Sequence, residues 1–313
     1  MVAIPETASP TVQAIDAAVA AAHDERRRTY LGASVIGKPC DRALWYEFRW
    51  AHPPQSFEGR MLRLFGTGHV EEARMIEWLR LAGVEIEGAA EDGQLEVEAC
   101  GGHFRGHMDG IATGIVEAPK TPHLLECKTH NAKSFAQLRK HGVAVAKPEH
   151  VAQMQVYMHL QGLTRAFYLA ENKDTSELYA ERVRYDAAQA AALMAKAERI
   201  IFADQPPARI SDDPDSFACR FCPAILLCHA GDAALRNCRT CLHAAPCSGG
   251  GRWHCARHAM DLDRQQQERG CPHHLYLPGL VPGEQIDADP ECETVTYQMV
   301  DGRQWVDGEG RAA

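Results

Sequence analysis

Two stretches of the chain decide its fold: HFRGHMDGIATGIV at residues 103–116 and HLLECKTH at residues 123–130. Both are short alternating runs bounded by Gly-, Asp- and Pro-bearing turns, a pattern typical of β-strands. Side chains two apart on a strand share a face, so Glu126 and Lys128 point one way and Cys127 the other. If the two strands are neighbours, Asp109 joins Glu126 and Lys128. The sequence therefore predicts an acidic site on a sheet.

The residue types at this site suit a divalent metal ion. Asp109, Glu126 and the backbone carbonyl of Cys127 are hard oxygen ligands of the kind that Mg²⁺ and Mn²⁺ prefer. An ion held there polarises a phosphate and lowers the pKa of a bound water. Lys128 would orient that water or stabilise the charge developing on the phosphorane. Taken alone, D…E-x-K is a common combination that usually marks exposed strand residues.

Two helical segments add residues to the pattern. GTGHVEEARMIEWL lies in an amphipathic helix predicted from Arg60 to Leu81, whose glycines at 66 and 68 allow an interruption. It places His69 and Glu72 on one face, where Glu72 could equally be a solvated carboxylate. PEHVAQMQVYMH likewise places Gln153 and Tyr157 on one face, with Gln155 on a different side as a structural residue. Further helices are predicted at 131–142, 148–162 and 186–204, and strands at RAFYLAEN and LYAERVRYD.

The order G-H-x-x-E, G-H-x-D-G, E-x-K and Q-x-x-x-Y, over roughly residues 60–160, resembles the RecB-type branch of the PD-(D/E)XK nucleases. The resemblance implies an α/β, restriction-endonuclease-like core with a central mixed sheet flanked by helices. It implies that His69 is a further metal ligand beside Asp109 and Glu126, and that Lys128 is the catalytic lysine. Gln153 and Tyr157 would contact DNA or support the site.

The chain carries 12 cysteines, of which three precede residue 200 and nine follow it. The N-terminal residues contain no basic segment followed by a continuous apolar one, so we predict no secretory signal. No apolar run approaches the length of a membrane span, and we expect a soluble, cytoplasmic protein. In the reducing cytosol, clustered cysteines bind metals more often than they form disulfides.

The first cysteine set begins with FACRFCPAILLCHAG, which contains Cys219, Cys222 and Cys228. Three thiolates cannot complete a four-ligand site, and Cys40 far upstream could supply the fourth. This one-plus-three arrangement resembles the iron–sulfur staple of the AddB nuclease domain and of CRISPR-associated RecB-like nucleases. It extends the resemblance to about residues 30–230 and implies a structural [4Fe–4S] cluster. Thiolate chemistry alone also suits Zn²⁺.

The second cysteine set lies in NCRTCLHAAPCSGGGRWHCARH and a later GCPHH. Cys238 and Cys241 form a CxxC knuckle, a strong indication of zinc, and we choose Cys255 and Cys271 to complete the tetrahedron. Such a module could grip substrate, dock a partner or only fold locally. Competing ligands for the later positions are Cys247, His243, His254 and His258. Cys100 and Cys292 have no evident partners and are interpreted as structural.

The formal net charge is −9, with a pI near 6.0. This balance excludes a broad basic face that coats duplex DNA, so nucleic acid would bind in a local groove. Basic residues interleaved with aromatics suit such a groove. The candidates are Arg42, Arg49, Arg60 and Arg63 with Trp45, Tyr46 and Trp50, and then Lys133, Arg139, Lys140 and Lys147. No base-reading motif is evident.

Together these patterns predict a Mg²⁺- or Mn²⁺-dependent deoxyribonuclease, an exonuclease acting on DNA ends or single strands. Alternatives are an endonuclease of the same fold, a catalytically inactive metal-stapled DNA-binding or adaptor protein, and an electron-transfer protein. The resemblance implies a role in recombination, repair or phage DNA processing, with a recombination or helicase protein as partner. The predicted domains are an N-terminal helix or arm (1–29), the nuclease domain (30–230), a zinc module (231–280) and a tail (281–313).

Overall fold

The computed structural model describes residues 9–23, 27–89 and 93–308. In chain order, its helices are α1 (Pro10–Ala22), α2 (Asp41–Phe48), α3 (Gly59–Leu81), α4 (Ala132–Ala146), α5 (Pro148–Gln161), α6 (Ala187–Phe202) and α7 (Arg264–Arg269). Its strands are β1 (Leu31–Gly32), β2 (Glu85–Glu87), β3 (Glu96–Ala99), β4 (Phe104–His107), β5 (Ile111–Thr113), β6 (His123–His130), β7 (Arg165–Asn172), β8 (Leu178–Arg184), β9 (Ala244–Pro246), β10 (Trp253–Cys255), β11 (Met260–Leu262), β12 (Gly283–Asp289), β13 (Thr294–Met299) and β14 (Gln304–Asp307).

The centre of the fold is a mixed sheet of order β2-β5-β6-β7-β8. Its parallel pair is β6 and β7, and its other neighbours run antiparallel. Parallel strands need a long crossover, which α4 and α5 provide between β6 and β7. The predicted α/β architecture, a mixed sheet flanked by helices, is confirmed.

The two faces of the central sheet bury different clusters. Leu124 and Tyr168 pack with Met154 of α5 on one face. Leu125 and Cys127 pack with Met75 of α3 on the other. Because both faces are covered, β7 is buried along nearly its whole length, which explains its almost continuous apolar sequence.

A smaller sheet of order β1-β4-β3 lies beside the central one. In it, β1 runs parallel to β4, with Leu31 opposite Phe104. This pairing brings the chain around residue 31 next to the strand that leads into GHMDG.

The predicted helices are present, with one correction. Helices α4, α5 and α6 lie where the sequence predicted them, at 131–142, 148–162 and 186–204. Helix α3 continues through Gly66 and Gly68, so the interruption that these glycines allow does not occur. Of the predicted N-terminal helix or arm, residues 10–22 form α1. Residues 1–8 and 24–26 of that arm lie outside the described residues.

The cysteine-rich region folds into the small sheet β11-β10-β9 and helix α7. Residues 281–313, predicted to be a tail, instead contain the antiparallel sheet β12-β13-β14. The alternating run TVTYQM explains this difference, because it turns Val295 and Tyr297 inward against Leu275. Residues 309–313 lie outside the described range. No helix in the described part of the chain is long and apolar enough to cross a membrane.

Candidate active site

Asp109 follows β4 in a tight turn and is fixed to β6. The backbone N–H of Cys127 donates to Asp109 Oδ2 over 2.7 Å, so this carboxylate sits between Glu126 and Lys128 on the neighbouring strand. Gly110 has φ +142°, and a Cβ there would lie 2.8 Å from Ile86 Cγ2. The glycine of GHMDG is therefore required by both its backbone conformation and its surroundings.

Glu126 is fully buried at the centre of the site. Its Oε1 forms an ion pair with the ammonium of Lys128, and its Oε2 accepts a hydrogen bond of 3.1 Å from Gln153 Nε2 of α5. Cys127 instead packs in the cluster on the α3 side, as strand alternation predicts. Glu126 Oε1 has no further hydrogen-bond donor within the described residues, which leaves it able to accept a cation.

Helix α3 brings a third carboxylate. Burial and then the Asp109 carboxylate raise the pKa of Glu72 to about 7. Burial likewise raises the pKa of Glu126 to about 7, with the Asp109 and Glu72 charges acting in the same direction against Lys128. Burial also raises the pKa of Asp109, although Lys128, then the Cys127 N–H and then His69 oppose it. Three carboxylates thus surround one ammonium, and their excess negative charge favours a bound cation.

The lysine keeps its charge in this environment. Burial lowers the pKa of Lys128, but the carboxylates of Glu126 and Asp109 raise it by more, so it lies above its ordinary value. Lys128 Nζ also donates to the Cys127 carbonyl over 3.1 Å. That carbonyl was predicted as a metal ligand and here accepts from the lysine.

The donor chemistry therefore fits Mg²⁺ or Mn²⁺, but the ligands are not arranged as a closed set. Across residues 9–23, 27–89 and 93–308, no three His, Cys, Asp or Glu side chains are placed so that they could hold a metal ion together. At this site, Asp109 Oδ2 accepts from the Cys127 N–H and Glu126 Oε1 forms an ion pair with Lys128. His69 is exposed on the wall of the adjoining cavity.

Gln153 and Tyr157 flank the acids from α5, and both are buried. A Cβ at Gly106 of β4 would lie 2.4 Å from Tyr157 Oη, so strand and ring are in close contact. Burial raises the pKa of Tyr157, which keeps its hydroxyl protonated. Gln155 faces away from the acids. Its Nε2 donates to the Arg184 carbonyl over 2.8 Å, in agreement with a structural role.

A cleft runs past the acids on both sides of α3. On one side is a cavity of about 370 Å³ that Arg28, Tyr30 and Asp109 help to line. On the other is a cavity of about 580 Å³ lined in part by Lys128 and Lys173. His69 and Glu72 line both. The acids are thus bordered by two cavities that share these two lining residues.

A histidine–tyrosine chain behind Lys128 was missed by sequence reasoning. The Tyr168 hydroxyl lies 2.9 Å from His130 Nε2 and 2.9 Å from His150 Nδ1. Burial lowers the pKa of His130 to about 4 and that of His150 to about 3, so both rings are neutral. One signal was available, because His130 continues the alternation of Glu126 and Lys128 along β6.

Several predicted nucleic-acid contacts are wrong. Trp45, Tyr46 and Trp50 are buried in the core and offer no stacking surface. Arg49 is also buried, and it donates to the carbonyls of Ala203 and Arg239 over 2.6 and 3.2 Å. Other candidates are held by protein groups: Arg42 by Tyr46 and Pro207, Arg63 by Asp16, Arg139 by Glu177 and Lys147 by Ser134. Arg60, Lys133 and Lys140 are exposed.

The first cysteine set converges in space. Cys40, Cys219, Cys222 and Cys228 line one small cavity. Cys40 caps α2, where its Sγ accepts from the Ala43 N–H over 3.4 Å. Burial and then the other three thiols raise the pKa of Cys222.

The thiols of the second cysteine set lie near enough to one another to interact electrostatically. Burial raises the pKa of Cys238 to about 12, and Cys241, Cys271 and Cys255 act in the same direction. Among the competing ligands, His258 Nε2 lies 3.7 Å from Cys271 Sγ. The others are placed differently: His254 pairs with Asp261, and the Cys247 carbonyl accepts from His103.

No protein-family model and no curated protein matches the chain. Among solved structures, it is similar to LHK-Exo in complex with dAMP, at 18% identity and a TM-score of 0.40, over 55% of this chain and 86% of that one. It is similar to the alkaline exonuclease LHK-Exo from Laribacter hongkongensis, at 18% identity and a TM-score of 0.40, over 60% and 89%. It is also similar to SSO0001, at 15% identity and a TM-score of 0.39, over 66% and 89%. Similarity at this level assigns neither family nor function.

Proposed function

We propose that this chain is a metal-dependent nuclease of the PD-(D/E)XK type that hydrolyses phosphodiester bonds in DNA. One observation carries the proposal: Asp109, Glu126 and Lys128 come from different places in the sequence and meet at one buried site. Three acids beside one lysine form a combination suited to a divalent cation and a phosphate.

Asp109, Glu126, His69 and the Cys127 carbonyl would hold Mg²⁺ or Mn²⁺, with Glu72 as a further carboxylate. When bound, such an ion supplies Lewis-acid activation of the phosphate and of a water molecule. For Glu126 to serve as a ligand, its ion pair with Lys128 must open. The freed ammonium, kept charged by the surrounding acids, can then orient the attacking water or stabilise a phosphate oxygen.

Gln153 fixes Glu126 through their hydrogen bond, and Tyr157 fixes the spacing between α5 and β4. The cleft that passes the acids on both sides favours a DNA end or single strand as substrate. We propose exonucleolytic cutting, in the cytoplasm, with an endonuclease of the same fold as the alternative.

We further propose that the cysteines hold metal and tie the later part of the chain to the nuclease core. Cys40, Cys219, Cys222 and Cys228 would hold a [4Fe–4S] cluster or Zn²⁺, and Cys238, Cys241, Cys255 and Cys271 would hold Zn²⁺. The common cavity of the first set and the electrostatic interaction among the thiols of the second set support this. The side chains do not form closed ligand sets, so binding must draw them together.

The test is digestion of end-labelled linear DNA and of closed circular DNA with Mg²⁺ or Mn²⁺, using anaerobically purified protein. We expect metal-dependent cutting that falls at least about 10²-fold in Lys128→Ala, because the variant loses the charge beside the reacting phosphate. Lys120→Ala removes an exposed lysine and should cut like wild type.

The substrate comparison separates the alternatives. Degradation of linear DNA alone supports an exonuclease, whereas cutting of closed circles favours the endonuclease. If folded, metal-replete wild type cuts neither, the nuclease proposal is wrong and the adaptor hypothesis is preferred.

A further inference from the structure

Residues 27–32, which we call the cleft segment, contribute to the wall of the 370 Å³ cavity. Arg28, Tyr30 and Gly32 line the cavity together with Asp109 and Tyr157. A Cβ at Gly32 would lie 2.7 Å from Arg28 Nη1, so the glycine makes room for this guanidinium. Arg28 therefore lies along the same cleft as the catalytic acids.

Arg28 and Arg105 both line the cavity, but their side chains differ in the groups that they contact. Arg105, which also lines the cavity, pairs with Glu96 and Glu98 at 3.4 and 3.5 Å. Arg28 Nη1 lies 3.5 Å from the neutral hydroxyl of Ser34. Within the described residues, no carboxylate pairs with Arg28, and its exposed guanidinium is thus suited to an anion.

Hydrogen bonds from side chains that are distant in the sequence hold the backbone of the cleft segment. Residues 27–30 form neither helix nor strand. Their first three carbonyls each accept from a distant side chain: Arg27 from Arg264 Nη2 at 3.0 Å, Arg28 from Trp50 Nε1 at 3.0 Å, and Thr29 from Arg239 Nη2 at 2.9 Å. Three successive hydrogen bonds of this kind fix the direction in which Arg28 leaves the backbone.

Two of these donors belong to residues 231–280, which we call the cysteine-rich module. Arg239 lies inside the C-x2-C knuckle, and Arg264 begins α7. Arg239 is fully buried, with its guanidinium 3.7 Å from the centre of the Trp50 ring. Asn237 Nδ2 also donates to the Trp50 carbonyl over 2.9 Å. Trp50, the third donor, is therefore itself positioned by the module.

We propose that the cysteine-rich module acts as a positioning element for the cleft: it holds Arg28 where the guanidinium binds a backbone phosphate of the DNA strand. This inference rests on the proposed nuclease function and adds a phosphate site to it. It gives the module a role in substrate binding without any contact of its own with the substrate.

The test compares Arg264→Ala with Arg28→Ala in the full-length, metal-replete chain. Affinity for a fluorescent single-stranded oligonucleotide is measured by anisotropy in the Lys128→Ala background, which prevents cutting. Loss of one charged contact should raise Kd about tenfold in each variant. The slope of log Kd against log salt should fall by about 0.7 in each, as for one lost phosphate contact.

Combining the two substitutions distinguishes positioning from a general loss of structure. If Arg264 acts through Arg28, the double variant should bind no more weakly than Arg28→Ala alone. Arg269→Ala, which removes an exposed charge from the same helix, should retain wild-type affinity and salt slope.

Wild-type affinity and salt slope in Arg264→Ala would overturn the inference while leaving the nuclease proposal intact. Additive losses in the double variant would overturn it as well. Failure of the parent protein to bind any DNA would instead remove the nuclease proposal on which the inference rests.

Discussion

Glu126 has no exposed surface, and its two oxygens face Lys128 and Gln153. The shared face of Glu126 and Lys128 could be predicted because strand alternation is a local property. Their approach to Asp109 could not, since it depends on pairing between strands that are separate in sequence. The expectation that Asp109 lies near Glu126 and Lys128 came from the family resemblance of the motif alone.

The contribution of Glu72 to the acidic site was underestimated from the sequence. A glutamate three residues after a histidine on a helix looks like an ordinary solvated side chain. Glu72 is half-buried because α3 packs against β6, a contact between segments that are distant in the sequence. The same contact raises its pKa to about 7 and makes it part of the acidic site.

His103 allows a prediction about pH. It is fully buried, its Nε2 donates to the Cys247 carbonyl over 2.9 Å, and burial lowers its pKa to about 4. Because the folded pKa lies below the unfolded value near 6.5, this histidine's stabilisation is present above pH 6.5 and is lost as pH falls towards 4. We expect the wild-type free energy of unfolding to lose about 2–3 kcal/mol more than that of His103→Gln between pH 7 and 4.5.

Urea unfolding at the two pH values measures this difference. His141→Gln, at an exposed position on α4, should keep the wild-type profile. Equal acid sensitivity in wild type and His103→Gln would contradict the assignment of a neutral buried ring.

At the scale of elements, α3 combines a face that lines the cleft with two glycines inside the helix. A Cβ at Gly66 or at Gly68 would meet nothing within 4 Å. Alanine at either position should therefore stabilise the fold by about 0.5–1 kcal/mol, because glycine loses more backbone entropy in a helix. The positions differ in one respect: Gly68 lines the cleft beside His69, whereas Gly66 does not.

We therefore expect Gly66→Ala to raise the thermal midpoint with unchanged cutting. Gly68→Ala should raise it similarly but increase KM, because its methyl group enters the substrate path. Equal kcat/KM in the two variants, measured on single-stranded DNA, would argue against a substrate path on this side of α3.

The predicted nucleic-acid contacts on helix α2 were wrong for a different reason. Its basic and aromatic residues have the composition of a nucleic-acid groove, yet Trp45 is fully buried and Arg49 almost so. Arg49 donates to the Ala203 carbonyl at the end of α6, so the helix is an interior element. Composition alone cannot distinguish solvent-exposed aromatic residues from buried ones. Here the segment that covers them lies about 150 residues away in the sequence.

At the scale of the whole molecule, the two cysteine sets should behave as separate metal sites. Cys222→Ser should remove iron or zinc from the first set and leave zinc in the second, and Cys241→Ser should do the reverse. A missing thiolate leaves three ligands, which bind metal far more weakly. Elemental analysis and the visible absorption of the cluster measure both outcomes.

Cys100→Ser is the matched control, since Cys100 belongs to neither set, and it should retain both metals. Unchanged metal content in Cys222→Ser and Cys241→Ser would show that the cysteines are ordinary core residues. Spacing alone singles out Cys219, Cys222 and Cys228 in the first set and Cys238 and Cys241 in the second, whereas Cys40 was added by resemblance and the docking of the second set against α2 through Arg239 was not predicted.

The cleft segment also has a consequence for how the protein is made. Arg239 follows Thr29 by 210 residues, and Arg264 follows Arg27 by 237. A chain emerging from the ribosome therefore carries its acids and lysine long before the side chains that fix Arg28 exist. On the proposed function and the inference about Arg28, the phosphate site is therefore completed only after most of the chain has been synthesised, and a nascent chain should bind DNA more weakly than the finished protein.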